Sequence, residues 1–304
     1  MKAVRLYKYG GPEELIFEDN VPDPVLGDDS VLIEAAATSV NPIDWKIRSG
    51  ARQKDFPLMF PAILGQDVSG IVRAVGGNVR TFRPGDRVLG MASATYAELV
   101  VVDGSVLAHL PDGCDLFDSA AIPLVSMTGD QLVRLAARAR RGQSIIVSGA
   151  VGSVGRAAVH TARKLGLHVI AAVRAAQIPA AAALGVETLA IDDPGAIKAC
   201  AMVDAIADTV GGEAAAELFA KVKDGGYFGY ASVLPEGIGA KYPAVTITRV
   251  FARPDASKIR EFADDVRDGK FVLPVSRRMA LREAKEAHVL AQRGGAGKIV
   301  LICS

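Results

Sequence analysis

Residues 144–166 read SIIVSGAVGSVGRAAVHTARKLG, which places a short apolar run, a glycine-rich turn and a helical pattern in immediate succession. The run Ser144–Ser148 predicts a buried strand, and Ser153–Leu165 predicts a helix. Glycines in the turn between them allow a tight bend and a close backbone approach, and the first amides of the helix attract an anion. The turn therefore predicts a site for the pyrophosphate of a dinucleotide, with contacts from Gly149, Val151, Gly152, Ser153, Val154 and Gly155. Because the spacing departs from G-x-G-x-x-G, a plain glycine turn in an α/β fold remains the alternative.

Strand and helix patterns alternate on both sides of this unit. The rhythm predicts a doubly wound parallel sheet that is covered by helices on both faces. Further helices are predicted over Thr128–Arg140, Ile178–Leu184 and Glu213–Val222, and further strands over Leu167–Val173, Thr188–Ile191, Val203–Thr209, Gly226–Ala231 and Val245–Ala252.

The two ends of the chain have a different pattern. Short strands separated by turn residues, at Val31–Ala37, Val68–Val75 and Tyr96–Val102, predict a β-rich unit. After residue 252 helices are predicted over Ser257–Arg267 and Leu281–Gln292, and Lys298–Ile302 predicts a last strand. The fold class is therefore α/β. We expect a doubly wound domain over residues 119–252, inserted into a β-rich domain formed by residues 1–118 and 253–304.

Composition excludes several classes of function. The chain has 35 Lys and Arg against 34 Asp and Glu, a net charge of +1, so it lacks the positive field that attracts nucleic acid. No apolar run approaches the roughly 20 residues that cross a bilayer. Cys114, Cys200 and Cys303 are far apart and suggest neither a disulfide framework nor a metal knuckle. Because Met1–Gly11 also lacks the apolar segment of a signal peptide, we expect a cytoplasmic protein without a nucleic-acid or membrane partner.

Arg174 predicts which dinucleotide binds. It follows the strand Leu167–Val173, at the position where NAD sites usually carry an Asp or Glu for the ribose 2′-hydroxyl. No acid appears after it until Glu187. A guanidinium forms paired hydrogen bonds with a phosphate, whereas a carboxylate repels it. We therefore expect NADPH as the cofactor, with an ordinary solvated arginine as the alternative.

The chain resembles the zinc-free medium-chain dehydrogenase/reductases, specifically the quinone oxidoreductase (zeta-crystallin-like) family. The resemblance covers nearly the whole chain and keeps the order of the family's motifs. It implies a GroES-like catalytic domain and a Rossmann domain with a cleft between them. The motifs are TSVNPIDWKIRSG (38–50), LGQDVSGIVRAVGGNVRTFRPGDRVLG (64–90), TYAELVVVD (95–103), SGAVGSVG (148–155), DTVGG (208–212) and AHVLAQRGGAGKIVL (287–301).

The resemblance also implies the absence of a metal. Asn41 stands where the zinc alcohol dehydrogenases of this superfamily have a cysteine, and Gln66-Asp67 stands where they have a His-Glu pair. By the same comparison Asn41 lies at the nicotinamide end, where its amide would donate to the substrate oxygen or the cofactor ribose. Asp44 would hold the loop by accepting backbone N–H groups. Lys46 occupies a cofactor-contacting position that is aromatic in relatives. Asn41-Pro42 is equally typical of a plain turn.

Other cofactor contacts are implied only by family position. Asp192 would lie near the adenine, and Phe251 would close the pocket. Val210 and Gly212 would face the cofactor, while Ala231 and Ser232 would border its nicotinamide half. Taken alone, Val210 and Phe251 are more typical of core residues.

These expectations combine into an NADPH-dependent enzyme that transfers hydride to quinones or other α,β-unsaturated carbonyls. A 2-enoyl-thioester reductase and a non-catalytic NADPH-binding sensor or crystallin-like protein are the alternatives. The strand Val245–Ala252 should form the edge of the Rossmann sheet, and an edge of this composition favours pairing. We therefore expect a homodimer through that strand.

Overall fold

The computed structural model describes residues 1–294 and 297–303. Gly295 and Ala296 of the C-terminal motif, and Ser304 at the end of the predicted β-rich domain, lie outside the described residues. The chain divides into two compact units, Met1–Leu124 with Pro254–Ser304, and Val125–Arg253.

The helices and strands follow one another in the order expected for a doubly wound unit inserted into a β-rich one. The strands are β1 (Ala3–Leu6), β2 (Leu15–Glu18), β3 (Ser30–Val40), β4 (Ala62–Ile63), β5 (Asp67–Val75), β6 (Arg87–Met91), β7 (Leu99–Asp103), β8 (Leu107–His109), β9 (Ser144–Ser148), β10 (His168–Val173), β11 (Glu187–Ala190), β12 (Val203–Asp208), β13 (Val222–Tyr230), β14 (Thr246–Arg249), β15 (Val275–Ala280) and β16 (Lys298–Ile302). The helices are α1 (Pro42–Arg48), α2 (Pro123–Gln131), α3 (Ser153–Lys164), α4 (Ile178–Ala182), α5 (Pro194–Ala199), α6 (Gly212–Phe219), α7 (Ile238–Lys241), α8 (Ala256–Arg267) and α9 (Ala284–Arg293).

The first unit is built around a mixed sheet with the strand order β15-β16-β3-β5-β6-β8, and β7 pairs with β3. Alternate residues of β3, among them Val31, Ile33 and Ala35, are buried in its core. The C-terminal strand β16 pairs antiparallel with β3, so that Ile299 lies opposite Val40. This pairing places the last strand of the chain against the segment that leads into α1.

The second unit is a parallel sheet with the order β11-β10-β9-β12-β13-β14. The central strand β9 is buried on both faces. Its residues Ile145 and Val147 join one apolar cluster with Ala158 of α3, whereas Ile146 joins another with Phe219 of α6. The predicted α/β fold class is therefore confirmed. Because the strand order reverses between β9 and β12, the chain leaves these two strands at the crevice where such sheets bind ligands.

The bounds of several predicted helices shift in the structure, and for two of them the backbone gives the reason. The helix predicted over Thr128–Arg140 begins earlier, with α2 at Pro123, and continues as a π-helical turn over Leu132–Ala136. It ends there because Arg138 adopts a left-handed conformation, with φ +47°. The helix predicted over Glu213–Val222 ends at Phe219, since Val222 pairs with Val203 and begins β13.

Candidate functional site

The glycine turn after β9 is closely packed. Gly149 has φ +62°, a conformation that favours glycine, and its N–H donates to the carbonyl of Ala172 at 2.8 Å. Gly152 N–H donates back to the carbonyl of Gly149 at 2.9 Å. A Cβ on Gly155 would contact the carbonyl oxygen of Gly149 and would lie 2.7 Å from its carbonyl carbon. A side chain at residue 155 would therefore push α3 away from the turn.

The helix α3 begins directly at this turn. Gly152 is its N-cap and supplies no side-chain hydrogen bond. The amides of the first helical residues, Ser153 and Val154, have no partner within a regular helix, and they lie at the positive end of its dipole. The guanidinium of Arg156 donates to the carbonyl of Val151 at 3.0 Å and holds the turn from the helix side. These features fit the pyrophosphate of a dinucleotide.

Ser148 and Asp208 hold the loop after β12 at the end of β9 through hydrogen bonds, a role that the sequence did not reveal. The Ser148 hydroxyl donates to Asp208 at 2.5 Å and accepts from Thr209 N–H at 2.9 Å. The Asp208 carboxylate also accepts the N–H groups of Val210 and Gly211. Burial raises the pKa of Asp208, and the hydrogen bonds from Ser148 and the loop oppose that rise. The loop after β12 is thereby held beside the glycine turn.

The remaining predicted cofactor positions lie beyond the carboxyl ends of β12, β13 and β14. Gly212 N–H donates to Val233 at 3.0 Å, and the Ser232 hydroxyl, next to Ala231, donates to the carbonyl of Val210 at 3.0 Å. Val210 is 42% exposed and Phe251 is 50% exposed. Their interpretation as core residues is wrong, because each follows the end of a strand and leaves the packed layers.

Arg174 is the exposed residue that follows β10. Asp192, two residues beyond β11, is also exposed, and its carboxylate accepts the N–H of Ala175 at 2.7 Å. The structure therefore brings a carboxylate to the end of β10, where the sequence places only an arginine.

In the first unit, Asn41 and Pro42 form the start of a helix. The interpretation of this pair as a plain turn is therefore wrong. Asn41 is the N-cap of α1, Pro42 occupies the first turn, and the Asp44 carboxylate accepts the N–H of Asn41 at 2.7 Å. This arrangement satisfies an amide that the helix itself leaves without a partner.

The Asn41 side chain is 2% exposed and belongs to a buried polar cluster. Its Nδ2 donates to Asp67 at 2.7 Å, and its Oδ1 accepts from the Lys298 ammonium at 2.6 Å. Asp67 also accepts from Ser39 at 2.5 Å and from Leu124 N–H at 2.7 Å, and its Oδ2 lies 3.8 Å from Lys298 Nζ. Both polar atoms of the Asn41 amide thus have partners inside the protein.

A second buried chain of polar groups begins at Asp44. The Tyr96 hydroxyl lies 3.1 Å from Asp44 Oδ2 and 3.0 Å from His288 Nε2, and Arg48 Nη1 lies 3.0 Å from His288 Nδ1. Burial raises the pKa of Asp44 to about 7, and its Oδ1 has no hydrogen-bond partner among the described residues. Burial and the Arg48 charge lower the pKa of His288 to about 3, so this histidine is neutral. The chain therefore contains a carboxyl group that is costly to ionise.

Lys46 lies on the other side of α1. Its ammonium is 5.4 Å from the ring centroid of Trp45, and both side chains are half-buried.

Within residues 1–294 and 297–303, no three His, Cys, Asp or Glu side chains converge as metal ligands would. None of the helices in this part of the chain combines the length and apolar character needed to cross a bilayer.

Comparisons with known proteins match two stretches of the chain to dehydrogenase family models. Residues 27–112 match the alcohol dehydrogenase GroES-like domain, and residues 187–301 match a zinc-binding dehydrogenase domain. The quinone oxidoreductase of Pongo abelii is 38% identical over 172 residues, which are 56% of this chain and 52% of that protein. The chain spans about half the length of the curated relatives that it matches.

Solved structures match over the whole fold. The quinone oxidoreductase from Coxiella burnetii has a TM-score of 0.87 at 25% identity, over 100% of this chain and 99% of that chain. A mycobacterial protein solved in complex with NADPH has a TM-score of 0.85 at 26% identity, over 99% and 100% of the two chains.

Proposed function

The chain belongs to the quinone oxidoreductase family of the medium-chain dehydrogenase/reductases, as its sequence motifs predict, and on this premise we propose that it is a zinc-independent, NADPH-dependent reductase. Its substrates would be quinones and other α,β-unsaturated carbonyls. A carbonyl conjugated to a C=C bond is already electrophilic and depends less on a metal to polarise it.

The observation that carries this proposal is the glycine turn at the carboxyl end of β9. The absence of a side chain at Gly155 keeps α3 against the turn, and the helix directs its first amides outward at the crevice between β9 and β12. Gly149, Gly152, Ser153 and Val154 would hold the pyrophosphate. Arg174, exposed at the end of the next strand, would bind the 2′-phosphate of NADPH.

The nicotinamide, when bound, supplies the hydride, and the protein supplies binding and orientation. In the first unit, Asn41, Asp44 and Lys46 form the proposed catalytic loop at the start of α1. The hydrogen bonds from Lys298 and to Asp67 hold the Asn41 side chain in one orientation. Asn41 would therefore act by positioning the loop, in place of the expected donation to the substrate oxygen or the cofactor ribose.

The proposal is tested by following the oxidation of NADPH with a panel of quinones, 2-alkenals and a crotonyl thioester, with metal analysis of the same sample. We expect turnover of quinones or alkenals without stoichiometric zinc. Preference for the thioester would assign an enoyl-thioester reductase. Tight NADPH binding without turnover of any acceptor would assign a sensor or crystallin-like protein.

We also propose a homodimer through β14. This strand lies at the edge of the parallel sheet, as the sequence predicts, and covers Thr246–Arg249 of the apolar run 245–252. An uncovered edge offers unpaired backbone groups to a second copy. Light scattering at micromolar concentration should give twice the mass of one chain, and a monomer would contradict the proposal.

A further inference from the structure

The segments that leave β10 and β11 run side by side. Val173, the last residue of β10, lies opposite Ala190 in the parallel register, and Ile191 N–H donates to the carbonyl of Val173 at 2.9 Å. Two residues beyond each strand, Ala175 N–H meets the Asp192 carboxylate at 2.7 Å. The contact is thus set by the register of the sheet.

This contact brings the Asp192 carboxylate to the backbone of the residue that follows Arg174. Arg174 immediately precedes Ala175, and neighbouring Cα atoms are about 3.8 Å apart. Arg174 and Asp192 are both exposed, so a ligand can reach either side chain. The end of β10 therefore carries an exposed arginine, and a carboxylate is bound to the backbone of the next residue.

In doubly wound units the end of the second strand, here β10, is where the adenosine ribose is recognised. A carboxylate there accepts a hydrogen bond from a 2′-hydroxyl and repels a 2′-phosphate. We propose that Asp192 determines cofactor specificity by opposing Arg174: it supplies from β11 the carboxylate that other sites carry at the end of β10. The inference rests on the proposed function only in requiring a nicotinamide dinucleotide on the glycine turn.

Two consequences follow from this arrangement. The carboxylate repels the 2′-phosphate that Arg174 would bind, so NADPH binds less tightly than Arg174 alone would allow. The same carboxylate accepts from the 2′-hydroxyl of NADH, so NADH binding is retained. The preference for NADPH over NADH is therefore narrow in the wild-type chain.

The test compares equilibrium binding of NADPH and NADH, by fluorescence titration, in the wild type and in Asp192→Asn. Asp193→Asn is the matched control, because it removes the same charge from the next residue. Asp193 caps α5 by accepting from Gly195 and Ala196, a role that asparagine also fills. Thermal unfolding of each variant reports its folding, and Asp192→Ser replaces the asparagine variant if that variant does not fold.

We expect Asp192→Asn to raise the preference for NADPH about tenfold, through tighter NADPH binding and weaker NADH binding. Asp193→Asn should change the preference less than about twofold, because its charge is directed at α5. An equal effect in both variants, or none in Asp192→Asn, would overturn the inference alone. Failure of the wild type to bind either dinucleotide would overturn the proposed function together with it.

Discussion

Replacing Asp44 by asparagine should alter how stability depends on pH. Asp44 is 1% exposed, and burial raises its pKa to about 7 from the ordinary 3.8. The hydrogen bond from Asn41 N–H opposes this rise, and the nearby Asp67 charge adds to it. Among the described residues one carboxyl oxygen has no partner, so ionisation leaves part of a buried charge without a hydrogen bond.

The direction in which stability changes with pH follows from where the proton is held. Between about pH 4 and pH 7 the folded protein keeps a proton on Asp44 that the unfolded chain has lost. The stability contributed by this group is complete below the ordinary pKa and is lost as the pH rises through about 7. The difference between the two pKa values corresponds to about 4 kcal/mol, since a tenfold change in proton affinity is worth about 1.4 kcal/mol. About 3 kcal/mol of this stability is lost between pH 5 and pH 8.

Asparagine keeps an acceptor for Asn41 N–H and for the Tyr96 hydroxyl but carries no charge. The free energy of unfolding, measured by urea denaturation from pH 5 to pH 8, should therefore fall less steeply in Asp44→Asn than in the wild type. Between pH 5 and pH 8, the free energy of unfolding of the wild type should fall by about 3 kcal/mol more than that of the variant.

Asp103→Asn provides the control for this measurement. Asp103 is exposed, and its hydrogen bonds with Ser105 lower its pKa, so its titration lies below the measured range. This variant should keep the wild-type slope between pH 5 and pH 8. Parallel pH profiles for the wild type and Asp44→Asn would refute the reasoning, because they would mean that Asp44 is ionised throughout this range in the folded protein.

Four further outcomes are expected. Lys298→Met should lower the free energy of unfolding by about 3–5 kcal/mol in urea denaturation, because it leaves the Asp67 carboxylate buried without a positive partner; a loss below about 1 kcal/mol would contradict this. Gly155→Ala should weaken NADPH binding about tenfold in fluorescence titration, since its Cβ displaces α3 from the turn, and unchanged affinity would argue against the glycine turn as the pyrophosphate site. Arg174→Asp should reverse the preference between NADPH and NADH in the same titration, and an unchanged ratio would remove Arg174 from the site. Dialysis against EDTA should leave NADPH oxidation unchanged, and a loss that added zinc restores would refute zinc independence.

Much of the Rossmann unit could be predicted from local sequence. The bounds of β9 agree with the prediction, and α3 ends one residue earlier than predicted. In the first unit, β16 also has its predicted bounds. These elements are marked by continuous apolar runs, by glycines at their ends or by helical spacing, all of which act within a few residues. The helix α1 was missed because it is only seven residues long and begins with Asn41-Pro42, a pair that also suits a turn.

The candidate site in the first unit shows what local patterns do not contain. Asn41 and Asp67 lie 26 residues apart, and Asn41 and Lys298 lie 257 residues apart, yet all three share one buried cluster. Lys298 reaches this cluster because β16 pairs with β3. Neither propensity nor periodicity predicts such pairing, because it depends on which strands meet.

The proposed cofactor site likewise combines features that local sequence predicts with a contact that depends on the fold. The glycine turn and Arg174 belong to the sequence itself, since a turn and the residue after a strand are defined by their neighbours in the chain. The carboxylate at the same strand end comes from Asp192, which the parallel register of β10 and β11 brings to Ala175. The sequence by itself therefore determined that a dinucleotide and a positive charge were to be expected here. Only the tertiary structure decided that a carboxylate lies at the same strand end, because hydrogen bonds between strands, and not chain order, set which segments meet.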